Sequence, residues 1–470
     1  MNRDLLVDSE RRHGAHPADR PHDAPDDRPR DHVRDLSAAL AAALLVLVAV
    51  LVGTAIQHRH HSLFVAWPPV FAQWEPHVGP GTPAAIAVAV AVIAYGPVLA
   101  ARLPWRALLL TAWGTAAAWT FSLALVDGWQ RGIAGRLTTT NEYLTVIGRF
   151  HDIPATLRDF THHILSHSPA PWPAHIAGHP PAATVTFVLL DRIGLGGGAW
   201  AGVWCITVGA TAGAAVLVAV RVLAGEQLAR RAAPFLVLAP AAVWVGTSAD
   251  GYFAAVAAWS VAFLALAVTG HRPRSTGLAA GLFLGLTAYL SYGLTLFAVI
   301  AGAALLLGQR RLRPLPYVVA GLAVVPVVFT LLGFNWWEAY RLLITRYYEG
   351  VGGIRPYGYW VWANLACTVL IVGPATVAGL RRAGTRLPEL RGGLRAAAPQ
   401  SRLALLVFAA LLALLVADLS GMSKAETERI WLPFAMWLLP ACAFLPRPRA
   451  WLTAQATLAL LLNHLLLTGW

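Results

Sequence analysis

Long apolar runs separated by short polar breaks fill most of this chain, and one long polar interruption stands out from them. A helix needs about 20 apolar residues to cross the hydrocarbon of a bilayer. Runs approaching that length lie at roughly 37–56, 83–101, 105–126, 198–224, 232–247, 250–269, 275–290, 291–308, 315–333, 359–380, 402–418, 430–446 and 450–468. The pattern predicts an all-α polytopic integral membrane protein with about 13 transmembrane helices. The interruption is the segment 127–197, too long for an ordinary connection and so expected to be functional. It holds Trp129, Tyr143, Trp172 and five acids, Asp127, Glu142, Asp152, Asp159 and Asp191. Within it, Ile153, Leu157, Phe160, Ile164 and Leu165 recur at helical spacing opposite Arg158, Asp159, His162 and His163. That is the pattern of an amphipathic helix lying in the membrane interface. Residues 1–36 are polar, Pro-rich and mixed in charge, and are expected to form a disordered cytoplasmic tail.

Composition agrees: the chain is 57% hydrophobic and only 13% charged, against about 25% charged in soluble domains. The net charge of +13 does not point to nucleic acid, because its arginines sit in short loops between apolar runs. These loops are 102–106, 221–231, 271–274, 309–313, 381–395 and 446–449. With the tail inside, all fall on the cytoplasmic side. Of the fourteen acids after the tail, only Glu226 and Glu389 then lie inside. The carboxylates, and with them the chemistry, gather on the outer face. Cys205, Cys367 and Cys442 all lie in apolar runs, and neither a CxxC pair nor a Gly-rich nucleotide loop is present.

Several residues are candidates for that chemistry. Asp127, in VDGW, leaves the membrane at the head of the large loop, and Glu142 follows in TTTNEYL. A carboxylate at the membrane–water boundary is suited to act as a general base. Equally, Asp127 reads as a solvated exit residue and Glu142 as a first-turn acid favourable to a helix dipole. His175 and His179 flank the N-terminus of an apolar helix opened by Pro180 and Pro181. This is an anion site with phosphate as the expected ligand, or a rigid turn. Asp250, between two spans, is either functional or a helix cap. The aromatic-rich outer loop 334–358 carries Arg341 and Arg346, suited to sugars and lipid-linked phosphates or to an interfacial belt. Lys424, the sole lysine, stands with Glu426, Glu428 and Arg429 immediately before a span. Lys424 and Arg429 together suit the grip of a phosphate.

The motifs Glu142-Tyr143-Leu144, His175-Ile176-Ala177-Gly178-His179-Pro180-Pro181-Ala182 and Gly421 through Phe434 resemble those of actinobacterial membrane proteins of the GT-C superfamily. These are glycosyltransferases that use polyprenyl-phosphate sugars. The resemblance implies a sugar moved, with inversion, from a polyprenyl-phosphate donor to a cell-envelope glycan or lipid at the outer face. It implies Asp127 or Glu142 as base, with Lys424, Arg429 and His179 stabilising the leaving phosphate. A divalent cation, Mg2+ or Mn2+, would be compatible with it. The chain departs from the pattern in two ways: two extra spans precede the loop, and no adjacent acid pair is present after the tail. Two other classes accommodate the same spans: a transporter or flippase of lipid-linked sugar, which requires ionisable groups deep within helices, and a non-catalytic scaffold. A catalytic protein should converge Asp127 or Glu142 with Lys424 or Arg429 on one outer cavity.

Overall fold

A computed structural model describes residues 29–310, 312–394 and 396–469. Three long helices open it, α1 (Pro29–His60), α2 (Thr82–Arg102) and α3 (Trp105–Ala124). The large loop carries only short ones, α4 (Ile153–Asp159), α5 (Ala174–Gly178) and α6 (Ala182–Arg192). Then α7 (Gly198–Gly209) and α8 (Thr211–Ala224) run on as one span. They are followed by α9 (Glu226–Val237), α10 (Ala242–Val245), α11 (Ala249–Thr269), α12 (Pro273–Leu290) and α13 (Phe297–Leu307). After these come α14 (Leu315–Leu331), α15 (Trp336–Glu349), α16 (Val351–Ile354), α17 (Tyr357–Gly384) and α18 (Pro399–Leu419). The chain closes with α19 (Thr427–Ile430), α20 (Leu432–Ala435) and α21 (Pro448–Leu465).

The protein is an all-α, multi-pass membrane protein. Among the described residues seven spans are long and apolar enough to cross, or eight if α14 and α15, bent 77° to each other, form one. Other segments expected to span are shorter or broken. The run 232–247 carries Pro240 and divides there into the end of α9 and the short α10, while Pro433 and Pro440 divide 430–446. Proline removes a helical hydrogen bond and clashes with the preceding turn.

The most enclosed of the spans is α11, which packs against α7, α8, α12, α13 and α20. By contrast, α1 is peripheral and rests on α17. Its Leu40, Leu44, Leu47 and Leu51 recur at three- and four-residue spacing and are all exposed, as a lipid-facing stripe should be. α12 and α14 lie in close contact because Gly277, Gly281 and Gly285 line one face of α12. A Cβ on Gly281 would stand 2.0 Å from the Val318 carbonyl oxygen. Small residues at four-residue spacing let helices meet backbone to backbone in a membrane.

Two strands close the other side: β1 (Ala72–Trp74) pairs antiparallel with β2 (Leu466–Thr468), Ala72 opposite Thr468. The bundle has two unlike ends. Arg230 donates to the carbonyls of Ala100 and Leu103 at 2.8 and 2.9 Å, and Arg402 to those of Leu223 and Leu307. The Arg-bearing connections therefore meet at the end where α2 finishes. At the opposite end, Gly81 at the head of α2 bonds Leu125 at the foot of α3, and there the large loop begins.

The expected tail over 1–36 lies outside the described residues for 1–28. From Pro29 onward the chain is helical, so α1 starts earlier than its apolar run. The cause is Asp35, fully buried, whose carboxylate accepts from Arg381 at 2.8 Å and Arg382 at 2.7 Å on α17. A tertiary ion pair extends the helix into sequence that is polar by composition.

Candidate functional site

The site is assembled from four stretches far apart in sequence. α3 ends in a tight turn at Leu125–Asp127, and Gly128 takes φ 78° to redirect the chain. A π-turn over Gln130–Ala134 follows and carries Arg131, and the 3-10 turn Arg136–Thr138 after it opens with Arg136. Asp127 lies between cations: its Oδ2 accepts from Arg136 at 2.9 Å and its Oδ1 lies 2.9 Å from His77 Nε2. Arg131 is 3.8 Å away. Both carboxylate oxygens are engaged, so this geometry makes Asp127 the anchor of Arg136 rather than an open base.

Glu142 precedes a 3-10 turn, but its side chain makes no cap hydrogen bond. The backbone explains where it goes instead. The His175 amide donates to the Asn141 carbonyl at 3.2 Å, which stitches α5 to this turn. The Glu142 carboxylate then meets His175 Nδ1 at 3.0 Å. His175 Nε2 stands 2.9 Å from Arg429 Nη2. Arginine has no acceptor, so Nε2 must accept, the proton sits on Nδ1, and Nδ1–H donates to Glu142. One charged partner on each side fixes the tautomer.

Arg429 is the hub. It donates to Asp250 Oδ2 at 2.6 Å, to Glu426 Oε2 at 3.0 Å and to His175. Asp250 lies in the first turn of α11 but does not cap it. Ser248 does, its Oγ accepting from the Asp250 amide at 3.2 Å. Burial pushes the Glu426 carboxyl up, but the guanidiniums of Arg429 and Arg355 outweigh it and hold it below the usual carboxylate range.

Glu142, His175, Asp250, Arg429 and Arg136 line one small cleft of about 10 Å³, room for a single water. Beside it, sharing Arg136 and Gly469 as a common wall, opens a pocket of about 600 Å³. That pocket combines Arg131 and Arg136 with Phe64, Phe71 and Leu467. Gly469 is placed there by the β1–β2 pairing, and Arg136 also donates to the Thr468 carbonyl at 3.3 Å.

The other candidates go elsewhere. Lys424 does not join Arg429: its Nζ donates to the Gly352 carbonyl at 2.8 Å. Between the two, Ala425 and Glu426 both take positive φ, 69° and 62°, and turn the side chains to different sides. His179 Nδ1 lies 2.7 Å from the His175 carbonyl oxygen and 3.1 Å from the Tyr143 hydroxyl. Desolvation, outweighing the pull of Asp250, pushes its pKa down to about 4, so at neutral pH it offers no positive charge to an anion. Arg346 spends its guanidinium on the carbonyls of Ile164 and Trp172, and Arg341 is exposed on α15. Glu428 accepts from the Phe71 amide at 2.9 Å, while its second oxygen is buried without a partner among the described residues. Burial pushes its pKa up to about 7.

The donor set does not suit a resident divalent cation. Among the described residues no group of three His, Cys, Asp or Glu side chains could hold a metal, because the carboxylates of the cleft face a guanidinium or an imidazole. Arg131 and Arg136 were not among the sequence candidates, yet a signal existed. They are arginines on the carboxylate-rich side, against the bias that places the others.

No family model matches the chain, and no curated protein sequence does. Among solved structures it is similar to the oligosaccharyltransferase AglB of the archaeon Archaeoglobus fulgidus. The complex of AglB with an inhibitory peptide and a dolichol-phosphate aligns at 13% identity and TM-score 0.44, over 71% of this chain and 50% of that one. A complex with zinc and sulfate aligns at 14% identity and TM-score 0.45, over 76% and 51%. The chain thus spans about half the length of the structures it matches.

Proposed function

We propose that the protein is a membrane glycosyltransferase that moves a sugar from a polyprenyl phosphate to a cell-envelope glycan or lipid at the outer face. The observation that carries the reading is the convergence of Glu142 and Arg136 on one cleft, beside a pocket walled by two arginines, one acid (Glu75) and apolar side chains. In this reading Glu142 takes the proton of the acceptor hydroxyl, while His175, held by Arg429, orients the carboxylate. The freed oxygen attacks the anomeric carbon, and the bond to the phosphate breaks on the opposite side with inversion. The phosphate leaves with the electron pair, and Arg131 and Arg136 hold its charge in a bidentate manner suited to guanidinium. Phe64, Phe71 and Leu467 give the first part of the lipid an apolar wall. Arg429 takes a role different from a direct phosphate grip: with Asp250 and Glu426 it fixes the base. The carboxylate-rich end faces outward and the Arg-rich end the cytoplasm, as the distribution of arginine favours.

The test is transfer by the purified protein in lipid from a panel of polyprenyl-phosphate sugars. Glu142→Gln should lose about 100- to 10,000-fold in rate and Arg136→Gln about 100- to 1,000-fold. Wild-type transfer by Glu142→Gln would overturn the assignment of the base. Absence of transfer by the native protein from every donor would overturn the activity itself.

A further inference from the structure

Glu428, fully buried on the turn α19, takes no part in the proton or phosphate steps proposed above. Its carboxylate accepts from the Phe71 amide at 2.9 Å. Phe71 immediately precedes β1 and lines the pocket of about 600 Å³. The Phe71 carbonyl accepts in turn from the Gly469 amide at 3.3 Å. A Cβ on Gly469 would stand 2.7 Å from Phe71 Cδ1, so the ring packs directly on that glycine. Gly469, with Arg136, walls both the pocket and the cleft of Glu142. Thr468 beside it accepts from Arg136 at 3.3 Å. A bonded path therefore runs from Glu428 through the Phe71 peptide to the end of β2, and closes on an arginine assigned to the phosphate.

The next residue on the same turn holds the other half of the site. Consecutive helical residues point about 100° apart. Arg429 accordingly reaches Asp250, Glu426 and His175, while Glu428 reaches Phe71. Thr427, Glu428 and Arg429 are all buried, and α19 lies against α17 and α11. The turn is thus a rigid part of the bundle from which two side chains leave in different directions, one toward the base and one toward the pocket wall.

We propose that Glu428 is a positioning residue for the donor. It fixes Phe71, and through Phe71 the β1–β2 wall, at the place where the polyprenyl phosphate lies. One turn then sets both halves of the site, the base through Arg429 and the donor pocket through Glu428. The proposal rests on the reading of that pocket as the donor's, but not on any turnover.

Farnesyl phosphate, which has the lipid and the phosphate but no sugar to transfer, is the probe. Its affinity for the purified full chain in micelles is read by calorimetry. Arg131→Gln, which alters a wall of the pocket, should weaken binding and so locates the probe there. Glu428→Ala removes the acceptor and should weaken binding about tenfold, with faster exchange of the Phe71 amide. Glu428→Gln keeps an oxygen for that amide without the charge, and should restore native affinity and native exchange. Glu428→Asp keeps the charge but withdraws it by one methylene, and should bind as weakly as the alanine variant. These last two variants decide the matter even where Glu428→Ala fails to fold. Native affinity in Glu428→Asp, or weak binding by Glu428→Gln, would overturn the positioning role and leave the pocket standing. No binding of farnesyl phosphate by the native protein, or undiminished binding by Arg131→Gln, would overturn the donor pocket and the positioning role together.

Discussion

Replacing Arg429 by glutamine removes the one cation shared by Asp250, Glu426 and His175. Arg429 and Asp250 are each 5% exposed, and their closest atoms stand 2.6 Å apart. An ion pair this enclosed is not an exposed contact worth less than about 1 kcal/mol. Taking away one partner leaves the other charge desolvated and unpaired, which costs about 3–5 kcal/mol. Here Asp250 is stranded, while Glu426 keeps Arg355 at 3.7 Å, so Arg429→Gln should fall within that range. Denaturant titration in mixed micelles, followed by tryptophan fluorescence, reads the loss directly. The double variant Asp250→Asn with Arg429→Gln strands one carboxylate fewer, so it should recover about 1–3 kcal/mol relative to the sum of the single variants. A loss below about 1 kcal/mol in Arg429→Gln, or strict additivity in the double variant, would refute the hub.

Other outcomes are expected elsewhere. Glu428, outside the long spans, has a folded pKa of about 7 against a usual value of 4.5. The folded state therefore binds its proton more tightly. That contribution to stability is complete below the usual value and is lost as pH rises through about 7. The unfolding midpoint should fall between pH 5 and 8, and Glu428→Gln should flatten the fall; an equal fall in the variant would refute it. Asp35→Asn weakens the carboxylate that Arg381 and Arg382 share and should destabilise the contact of α1 with α17 by about 3 kcal/mol or more. Faster amide exchange at the start of α1 would register it, and unchanged exchange would count against it. Gly281→Ala places a Cβ against the Val318 carbonyl and should cost about 1–3 kcal/mol by overpacking. An unaltered midpoint would show that α12 and α14 can separate freely.

What was legible in the sequence follows the range of the physics involved. Apolar runs and arginine-bearing breaks act locally, so the helical class and the separation of basic from acidic ends could be read from residues within a turn or two of one another. Proline's effect is local as well, yet Pro240, Pro433 and Pro440 lie at breaks in runs that hydropathy alone joins. Hydropathy sums side chains and ignores the hydrogen bond that each proline removes. Asp35 marks the other limit: a polar start was read as tail, and a partner on α17, beyond any local window, made it helix.

The site shows the same division more sharply. Each was nominated locally: Glu142 as a carboxylate at the membrane boundary, His175 at a helix N-terminus, and Asp250 and Arg429 as ionisable groups beside apolar spans. Their pairing was not legible: Asp250 and Arg429 are 179 residues apart. Lys424 and Arg429 looked alike as neighbouring cations, and only the two positive-φ residues between them, Ala425 and Glu426, send one to a backbone carbonyl and the other to a carboxylate. The consequence for chemistry is a division of labour. A cation surrounded by Asp250, Glu426 and His175 is already neutralised and serves as a fixed support. Arg136 is shared between Asp127 and the open pocket, while Arg131 is 3.8 Å from the same acid and half exposed. Charge left over beside an open cavity, more than charge as such, is what suits a place to hold an anionic leaving group, and in the proposed reading that place is the pair Arg131 and Arg136.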